Sequence, residues 1–307
     1  MRRILVTAVS GDIGNAIVKI LLNTDSVVFA CDINEYVPCM NEVEEFWQCC
    51  YAVENGYIDE LLAKCKKYDI QYLIPTNERE IEIIDRKREC FEAQGIKLVI
   101  QNSKVLQICL DKYKTMKFLK ENGIGVPDSF IDENMMEPDK QYICKARCSN
   151  GSKRMQIISG RQKECFHRDE DIIQEYIDSD EEYTIGVFRD NKTVNTIIFR
   201  RQLKNGYSNL VKLQNNREIE KLAKQVAELF ELRGYINIQL KRKAGCLYVF
   251  EINPRISGTV MFRHMLGFED LLWWLDLLDE KITPEYFCQY KDVVGIRELS
   301  EKILIQK

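Results

Sequence analysis

The first 100 residues alternate between short apolar segments and segments with helical spacing, and this alternation is the strongest constraint on the fold. Residues 3–9 (RILVTAV) and 26–32 (SVVFACD) have the apolar character of buried strands, and residues 15–22 (NAIVKILL) have the spacing of a helix. Helices and strands are predicted to alternate again over 57–67, 70–76, 78–94 and 96–100. Strands that alternate with helices form a parallel sheet covered on both faces, so we predict a doubly wound α/β domain.

The pattern changes near residue 110, where a helix is predicted over 111–123. Shorter strands are predicted after it, at 141–147, 155–159, 182–188 and 193–201. A helix over 217–232 then precedes an apparent β-hairpin over 234–253. Strands followed by helices within one segment indicate an α+β fold for this second part of the chain.

Charge and composition exclude several classes of protein. Lys and Arg number 44 against 48 Asp and Glu, so the net charge of -4 provides no positive field for general nucleic-acid binding. No apolar run approaches the roughly 18 residues of a membrane span, and we expect a cytoplasmic protein that binds neither nucleic acid nor membrane. The 12 cysteines contain no C-x-x-C pair, so most are expected to be buried thiols rather than disulfides or zinc ligands.

A turn that contains glycine joins the first predicted strand to the first helix, and Asp32 ends the second strand. This arrangement is typical of dinucleotide sites, in which the backbone approaches a pyrophosphate and the acid binds ribose hydroxyls. Tyr113 and Lys117 also fit the Tyr-x-x-x-Lys spacing of nicotinamide-dependent short-chain reductases, although TAVSGDIG departs from that family's glycine pattern at Ala8 and Asp12. A tight turn in any doubly wound domain explains the same residues, so both interpretations stay open here.

The predicted hairpin carries a candidate metal site. Glu251 and Asn253 are two residues apart on a strand, so their side chains share a face. A three-residue loop with Gly245 in the left-handed conformation would place Gln239 on that face, whereas a two-residue loop would place it on the opposite one. Three oxygen-bearing side chains suit Mg²⁺, and the nearby Arg255 would neutralise a phosphoryl group. Spacing alone equally allows a solvated outer face.

The segment FEINPRISGT (250–259) resembles the signature strand and loop of ATP-grasp enzymes, particularly the carbamoyl-phosphate-synthase-like carboxylate–amine ligases. Further matches follow in the family's order. The resemblance implies a pre-ATP-grasp domain over residues 1–110 and an ATP-grasp domain over 111–307. The nucleotide is then expected between two subdomains, at about 111–172 and about 173–307.

The resemblance also assigns the nucleotide contacts. Lys112 and Lys145 match the two phosphate-binding lysines, and Ser152 belongs to a flap over the phosphates with the sequence SNGSKR. The segment IIQEYI matches the hinge that holds adenine, through Gln174, Glu175 and the backbone of Ile177. The acid for the ribose hydroxyls is Glu182, or Glu181 after a shift of one residue.

The same resemblance implies the residues that hold metal and support catalysis. Gln239, Glu251 and Asn253 match the metal ligands, for Mg²⁺ or for Mn²⁺ in its place. The expected catalytic residues are Arg255, Lys145 and Arg201. In the loop PTNERE (75–80), Thr76 and Glu78 are candidates for substrate contacts, although an acid there could equally cap a helix.

The implied activity is that of an ATP-dependent carboxylate–amine ligase. MgATP and a small-molecule carboxylate would give an acyl phosphate, and an amine would then form an amide-type bond with release of ADP and phosphate. The sequence leaves open whether identical chains assemble. Two other functions also stay open: the nicotinamide-dependent reductase, and an accessory subunit that binds ATP without completing a reaction.

Overall fold

The computed structural model describes residues 1–148, 155–163, 166–167, 170–204, 206–298 and 300–304. The chain divides into two units. The first consists of Met1–Gln101, Arg255–Cys288 and Arg297–Lys307, and the second consists of Asn102–Pro254 and Gln289–Ile296. This division assigns segments after Pro254 to the first unit, and so differs from a continuous domain over 111–307, which stays a prediction.

A parallel sheet forms the centre of the first unit. Its strands among the described residues are β1 (Arg3–Thr7), β2 (Val27–Asp32), β3 (Glu45–Gln48), β4 (Tyr72–Ile74) and β5 (Lys97–Leu98). They lie in the order β3-β2-β1-β4-β5, and every pairing is parallel. The helices of this part are α1 (Asp12–Leu21), α2 (Tyr57–Lys67), α3 (Glu78–Asp85) and α4 (Arg88–Glu92). The prediction of a doubly wound parallel sheet is confirmed.

The second unit contains two antiparallel sheets. The smaller sheet has the order β6-β9-β7-β8 and consists of β6 (Ser129–Phe130), β7 (Gln141–Ala146), β8 (Gln156–Ser159) and β9 (Asp171–Glu175). The larger sheet has the order β14-β13-β10-β11-β12-β15. Its strands are β10 (Glu182–Arg189), β11 (Val194–Lys204), β12 (Tyr207–Gln214), β13 (Gly234–Lys243), β14 (Cys246–Asn253) and β15 (Val294–Ile296).

Helices α5 (Ser103–Cys109), α6 (Lys112–Glu121) and α7 (Arg217–Leu229) belong to the second unit, as does a 3₁₀ turn at Glu133–Met135. The strongly amphipathic α7 places its apolar side on one face of the larger sheet. The core between them includes Ile219, Ala223, Val226, Ile236 and Ile238. Because side chains alternate along each strand, the opposite face of this sheet is left for polar residues.

Two more helices, α8 (Val260–Met265) and α9 (Asp270–Leu278), follow Pro254 in the chain and belong to the first unit. The helix predicted over 78–94 is two helices, α3 and α4. Sequence patterns missed β3 and α5, although the cap of α5 is a local signal: the side chain of Asn102 accepts a hydrogen bond from the Val105 N–H.

Two expectations from composition concern membranes and disulfides. Within the described ranges, no helix combines the length and apolar character needed to cross a membrane. The cysteines described there are free thiols, and six are buried: Cys31, Cys39, Cys49, Cys65, Cys109 and Cys144. Buried thiols of this kind pack as small apolar side chains.

Candidate active site

The hairpin of β13 and β14 brings the predicted metal ligands to one face by an unexpected route. Its loop has two residues, Ala244 and Gly245, which both have positive φ angles of 49° and 81°. Without a bulge this loop would pair Gln239 with Phe250. The register shifts beyond Leu240, so that Gln239 lies opposite Glu251. The extra residue is Phe250, and this bulge puts Gln239 and Glu251 on the same face.

The polar face of the larger sheet extends across two further pairings. Asn253 of β14 lies opposite Asn237 of β13, and Thr184 of β10 lies opposite Gln239. The Thr184 hydroxyl donates to Asn237 Oδ1 over 2.8 Å. Directly opposed residues of antiparallel strands face the same side, so these polar residues share a face with Glu251.

Lys145, on β7 of the smaller sheet, lies close to Glu251 of this face and is only 8% exposed. Its Nζ donates to Gln174 Oε1 over 3.0 Å and to the Phe250 carbonyl oxygen over 3.5 Å. Burial lowers the pKa of the Lys145 ammonium to about 8; Glu251 and Glu182 oppose this shift, and Lys112 adds to it. The charges of four predicted residues therefore act on one another: Lys145, Glu251, Glu182 and Lys112.

Arg201 reaches the same cluster from β11. Its Nε and Nη2 lie 2.8 and 2.7 Å from Glu182 Oε1, and Nη2 also donates to Gln239 Oε1 over 2.7 Å. The side chain of Arg201 is only 10% exposed. The acid predicted to bind ribose and a predicted metal ligand are therefore both hydrogen-bonded to one guanidinium.

The predicted adenine hinge, residues 172–177, consists of the last four residues of β9 and the two residues that follow it. Gln174 is buried, Glu175 is half-buried, and Ile177 is buried. The Nζ of Lys241 donates to the Ile177 carbonyl oxygen over 3.1 Å and lies 5.3 Å from the centre of the Tyr176 ring. Sequence analysis missed Lys241, whose only signal was its position two residues after Gln239 on the same strand face.

The first phosphate-binding lysine, Lys112, begins α6. Asp111 caps this helix by accepting from the backbone N–H groups of Tyr113 and Lys114. Asp111 also forms a bidentate ion pair with Arg147, at 2.8 and 2.7 Å, and the Lys112 N–H donates to the Arg147 carbonyl. This clamp fixes the start of α6 against the end of β7. Ser152, the predicted flap residue, lies outside the described residues.

Arg255 belongs to the first unit. Its Nη2 and Nε lie 2.9 and 3.1 Å from Glu78 Oε1, and both side chains are largely buried. Glu78 begins α3 directly after Asn77, which caps the helix, so Glu78 itself is not the capping residue. The Thr76 hydroxyl donates to the Thr7 carbonyl oxygen over 3.0 Å. Both loop candidates thus lie beyond the carboxyl end of β4.

The first glycine turn is held together internally. Asp32 accepts hydrogen bonds from the Ser10 N–H at 2.7 Å, and from the backbone and side-chain nitrogens of Asn34 at 2.9 and 2.8 Å. The turn engages Oδ2 of this buried carboxylate and Asn34 engages Oδ1, whereas a dinucleotide site needs the carboxylate for ribose. Tyr113 and Lys117 lie on α6 in the second unit, and Lys117 is exposed near Glu121. The reductase interpretation loses its two supporting features.

The oxygen atoms of Glu251, Asn253 and Gln239 are hard donors of the kind that Mg²⁺ prefers. Glu251 supplies a carboxylate, and Asn253 a buried amide oxygen on the same strand face. Across the residues that the structure describes, no group of three or more His, Cys, Asp or Glu side chains could hold a metal ion. The donor set therefore suits a magnesium ion that shares its shell with phosphate oxygens and water, rather than an all-protein cage.

Family profiles match most of the chain. Residues 109–259 match a profile described as an ATP-grasp domain, and residues 4–99 match the PylC-like N-terminal domain. An uncharacterized protein of Methanocaldococcus jannaschii is 30% identical over 305 residues, covering 87% of this chain and 77% of that protein.

Solved structures show the same fold at low sequence identity. An N5-carboxyaminoimidazole synthetase from Staphylococcus aureus, complexed with ADP, has a TM-score of 0.74 at 15% identity and covers 92% of this chain and 79% of its own. The biotin carboxylase domain of a 2-oxoglutarate carboxylase from Hydrogenobacter thermophilus, in complex with MgADP, ADP and bicarbonate, has a TM-score of 0.74 at 14% identity. The match covers 92% of this chain and 71% of that one. An L-amino acid ligase from Bacillus licheniformis has a TM-score of 0.70 at 14% identity, and the match covers 91% of this chain and 74% of that one.

Proposed function

Because the chain belongs to the ATP-grasp family, we propose that it is an ATP-dependent carboxylate–amine ligase that passes through an acyl phosphate. The observation that carries this proposal is the polar face centred on Lys145. A buried cation, an acid and amide oxygens lie on described strands within one unit there. Such a set can bind a polyphosphate and a hard metal ion together.

The residues of this face have distinct proposed parts. Lys145 and Lys112 neutralise phosphate oxygens of ATP, and Glu182 contacts the ribose. Gln174, Glu175 and the backbone of Ile177 hold the adenine. Bound Mg²⁺ supplies further neutralisation of phosphate charge, and Glu251 and Asn253 hold it, with Gln239 beside them.

The reaction is proposed to proceed in two steps. A carboxylate oxygen of the substrate attacks the γ-phosphorus, the bond from that phosphorus to the bridging oxygen breaks, and ADP leaves. An amine then attacks the acyl carbon of the acyl phosphate, inorganic phosphate leaves, and the nitrogen loses a proton. Positioning and electrostatics supply most of the catalysis in phosphoryl transfer, so no side-chain nucleophile is needed.

The carboxylate and the amine are proposed to be small molecules, and the first unit has a candidate position for an anionic group. The Arg255–Glu78 pair lies beyond β4, next to the position where the strand order β2-β1-β4 reverses direction. Open parallel sheets bind ligands at such positions, outside the carboxyl ends of their strands. Arg255 would accept the carboxylate or phosphoryl group there. The ligases and carboxylases among the related folds support small-molecule substrates.

A trapping assay tests the proposal. Purified protein is incubated with MgATP, hydroxylamine and single carboxylates drawn from amino acids, sugar acids and short peptides. We expect carboxylate-dependent ADP release together with a hydroxamate, which forms when hydroxylamine captures an acyl phosphate. Glu251→Gln should abolish both products, whereas Glu228→Gln, at an exposed position on α7, should keep both. Saturable ATP binding without ADP release across the panel would instead favour the accessory subunit.

A further inference from the structure

The contacts of Arg201 bear on the number of metal ions in the site. We propose that its guanidinium occupies the place of a second metal ion, so that the nucleotide site binds one divalent cation through Glu251 and Asn253. The inference rests on the proposed function and specifies the metal chemistry of the same site.

Gln239 has one side-chain oxygen that could bind a metal, and that oxygen already accepts a hydrogen bond from Arg201. The Nη2 group donates to Gln239 Oε1 over 2.7 Å, and the same guanidinium contacts Glu182 Oε1 at 2.8 and 2.7 Å. Both hydrogen bonds are charge-assisted, because their donor is the planar, permanently charged guanidinium. The Arg201 side chain is only 10% exposed. The guanidinium is therefore anchored at two points on neighbouring strands.

A metal ion on the same oxygen would face this positive charge at short range. Mg²⁺ binds oxygen at about 2.0–2.1 Å, so an ion on Gln239 Oε1 would lie only a few ångströms from Nη2 in a poorly screened site. The Arg201 guanidinium already supplies the positive charge that neutralises Glu182 and contacts Gln239 Oε1. Glu251 and Asn253, two residues apart on β14, offer their oxygens on the same strand face for one ion.

The remaining donors also favour a single ion. A second hard cation would need protein oxygen ligands of its own besides those of Glu251 and Asn253. Across the described part of the chain, no cluster of three or more His, Cys, Asp or Glu side chains is available. Glu182, the neighbouring acid on this face, is ion-paired with Arg201.

Manganese titration followed by electron paramagnetic resonance tests this assignment on the full chain. The nucleotide is an ATP analogue with an imido group between the β- and γ-phosphorus atoms. The wild-type protein should bind one Mn²⁺ per bound analogue and give an uncoupled spectrum. Arg201→Met should bind two, with spin coupling between them, because two-metal sites hold their ions about 3.5–4 Å apart.

Two variants serve as references. Arg200→Met changes the neighbouring arginine, whose side chain pairs with Asp180 at 3.0 Å and leaves Gln239 untouched, so the count should stay at one. Gln239→Leu should also keep one Mn²⁺, because Gln239 is not a ligand in this assignment.

Several results would overturn the inference. They are two coupled Mn²⁺ ions on the wild-type chain, loss of the single ion in Gln239→Leu, or an Arg201→Met chain that binds the analogue and stays at one ion. The wild-type count decides the matter even when a variant fails to fold. A wild-type chain that binds no analogue overturns the proposed function as well, which distinguishes the two failures.

Discussion

Gln239 and Glu251 lie directly opposite each other on β13 and β14, although the two-residue loop between the strands would pair Gln239 with Phe250. The bulge at Phe250 makes the difference. It also leaves the Phe250 carbonyl oxygen 3.5 Å from Lys145 Nζ. One irregular residue therefore aligns the acid of the site and gives its buried lysine a second hydrogen-bond acceptor.

The turn of this hairpin offers a test of its geometry. Ala244 has a φ of 49°, which costs an alanine about 1 kcal/mol but suits asparagine in a two-residue hairpin turn. We expect Ala244→Asn to raise the free energy of unfolding by about 0.5–1 kcal/mol. Ala93→Asn, at an exposed site with a φ of -62°, should bring no gain. Equal effects in thermal unfolding would contradict the assigned turn.

The lowered pKa of Lys145 predicts a pH dependence of nucleotide binding. Burial favours the neutral amine, whereas bound phosphate favours the ammonium, so binding above about pH 8 must take up a proton. Affinity for MgATP should fall about tenfold between about pH 7 and about pH 9 as the charged fraction declines. Titration calorimetry in buffers of different ionisation enthalpy measures both the affinity and the proton uptake.

Lys145→Arg provides the control for that experiment, because arginine stays charged over the whole range. Its affinity should be nearly independent of pH, whatever its absolute value. A wild-type affinity that is equally flat would show that Lys145 does not titrate in this range.

Gly14 of α1 is predicted to be essential for packing at the first turn. A Cβ atom there would lie 2.5 Å from the Ala8 carbonyl oxygen and 2.7 Å from Val9 Cα, so the backbone would have to move. Gly14→Ala should lower the free energy of unfolding by about 1–3 kcal/mol. At Gly11 the nearest atom is 3.7 Å away, and Gly11→Ala should change stability by less than about 1 kcal/mol. Similar losses for both would refute the steric explanation.

Arg263 forms an ion pair with Asp270 in which the two side chains are 0% and 1% exposed. Its Nη1 also donates to the hydroxyls of Ser257 and Thr259, in the loop that follows Arg255. Arg263→Met should cost about 3–5 kcal/mol, because it leaves the Asp270 carboxylate buried without its partner. The double variant with Asp270→Leu should recover part of that loss.

Arg86→Met is the matched surface change for this pair. Arg86 is 67% exposed and pairs with Glu82, and exposed pairs contribute at most about 1 kcal/mol. Thermal unfolding of the three variants separates the effects. A loss in Arg263→Met no larger than in Arg86→Met would contradict the role assigned to the buried pair.

Local patterns predicted the parallel sheet, the hairpin and the family because each depends on short-range periodicity or on a contiguous motif. The length of the hairpin loop was left open, but the inference that a two-residue loop separates the two faces was wrong. A three-residue loop was needed to place Gln239 and Glu251 on one face, whereas the structure has a two-residue loop and a bulge. Bulges depend on contacts with distant residues such as Lys145, which no local pattern of the hairpin reports.

Long-range contacts limited the rest of the site prediction. The Arg201–Glu182 pair joins residues on adjacent strands whose register depends on the whole sheet. The Arg255–Glu78 pair joins positions 177 residues apart in the chain. The family resemblance and, for Glu78, the position of a strand-end loop nominated these four residues individually, but their pairing follows only from the folded structure. The roles assigned to them stay predictions.

The most direct measurement of the central claim is thermal unfolding of the wild-type chain alone, with MgATP and with NADPH, repeated for Glu251→Gln and Glu228→Gln. A ligand at 100 times its dissociation constant stabilises the native state by about 2.7 kcal/mol. We predict that MgATP raises the midpoint by several degrees in the wild type and in Glu228→Gln, that Glu251→Gln loses most of this shift, and that NADPH has no effect. A full MgATP shift in Glu251→Gln, or stabilisation by NADPH alone, would contradict the account.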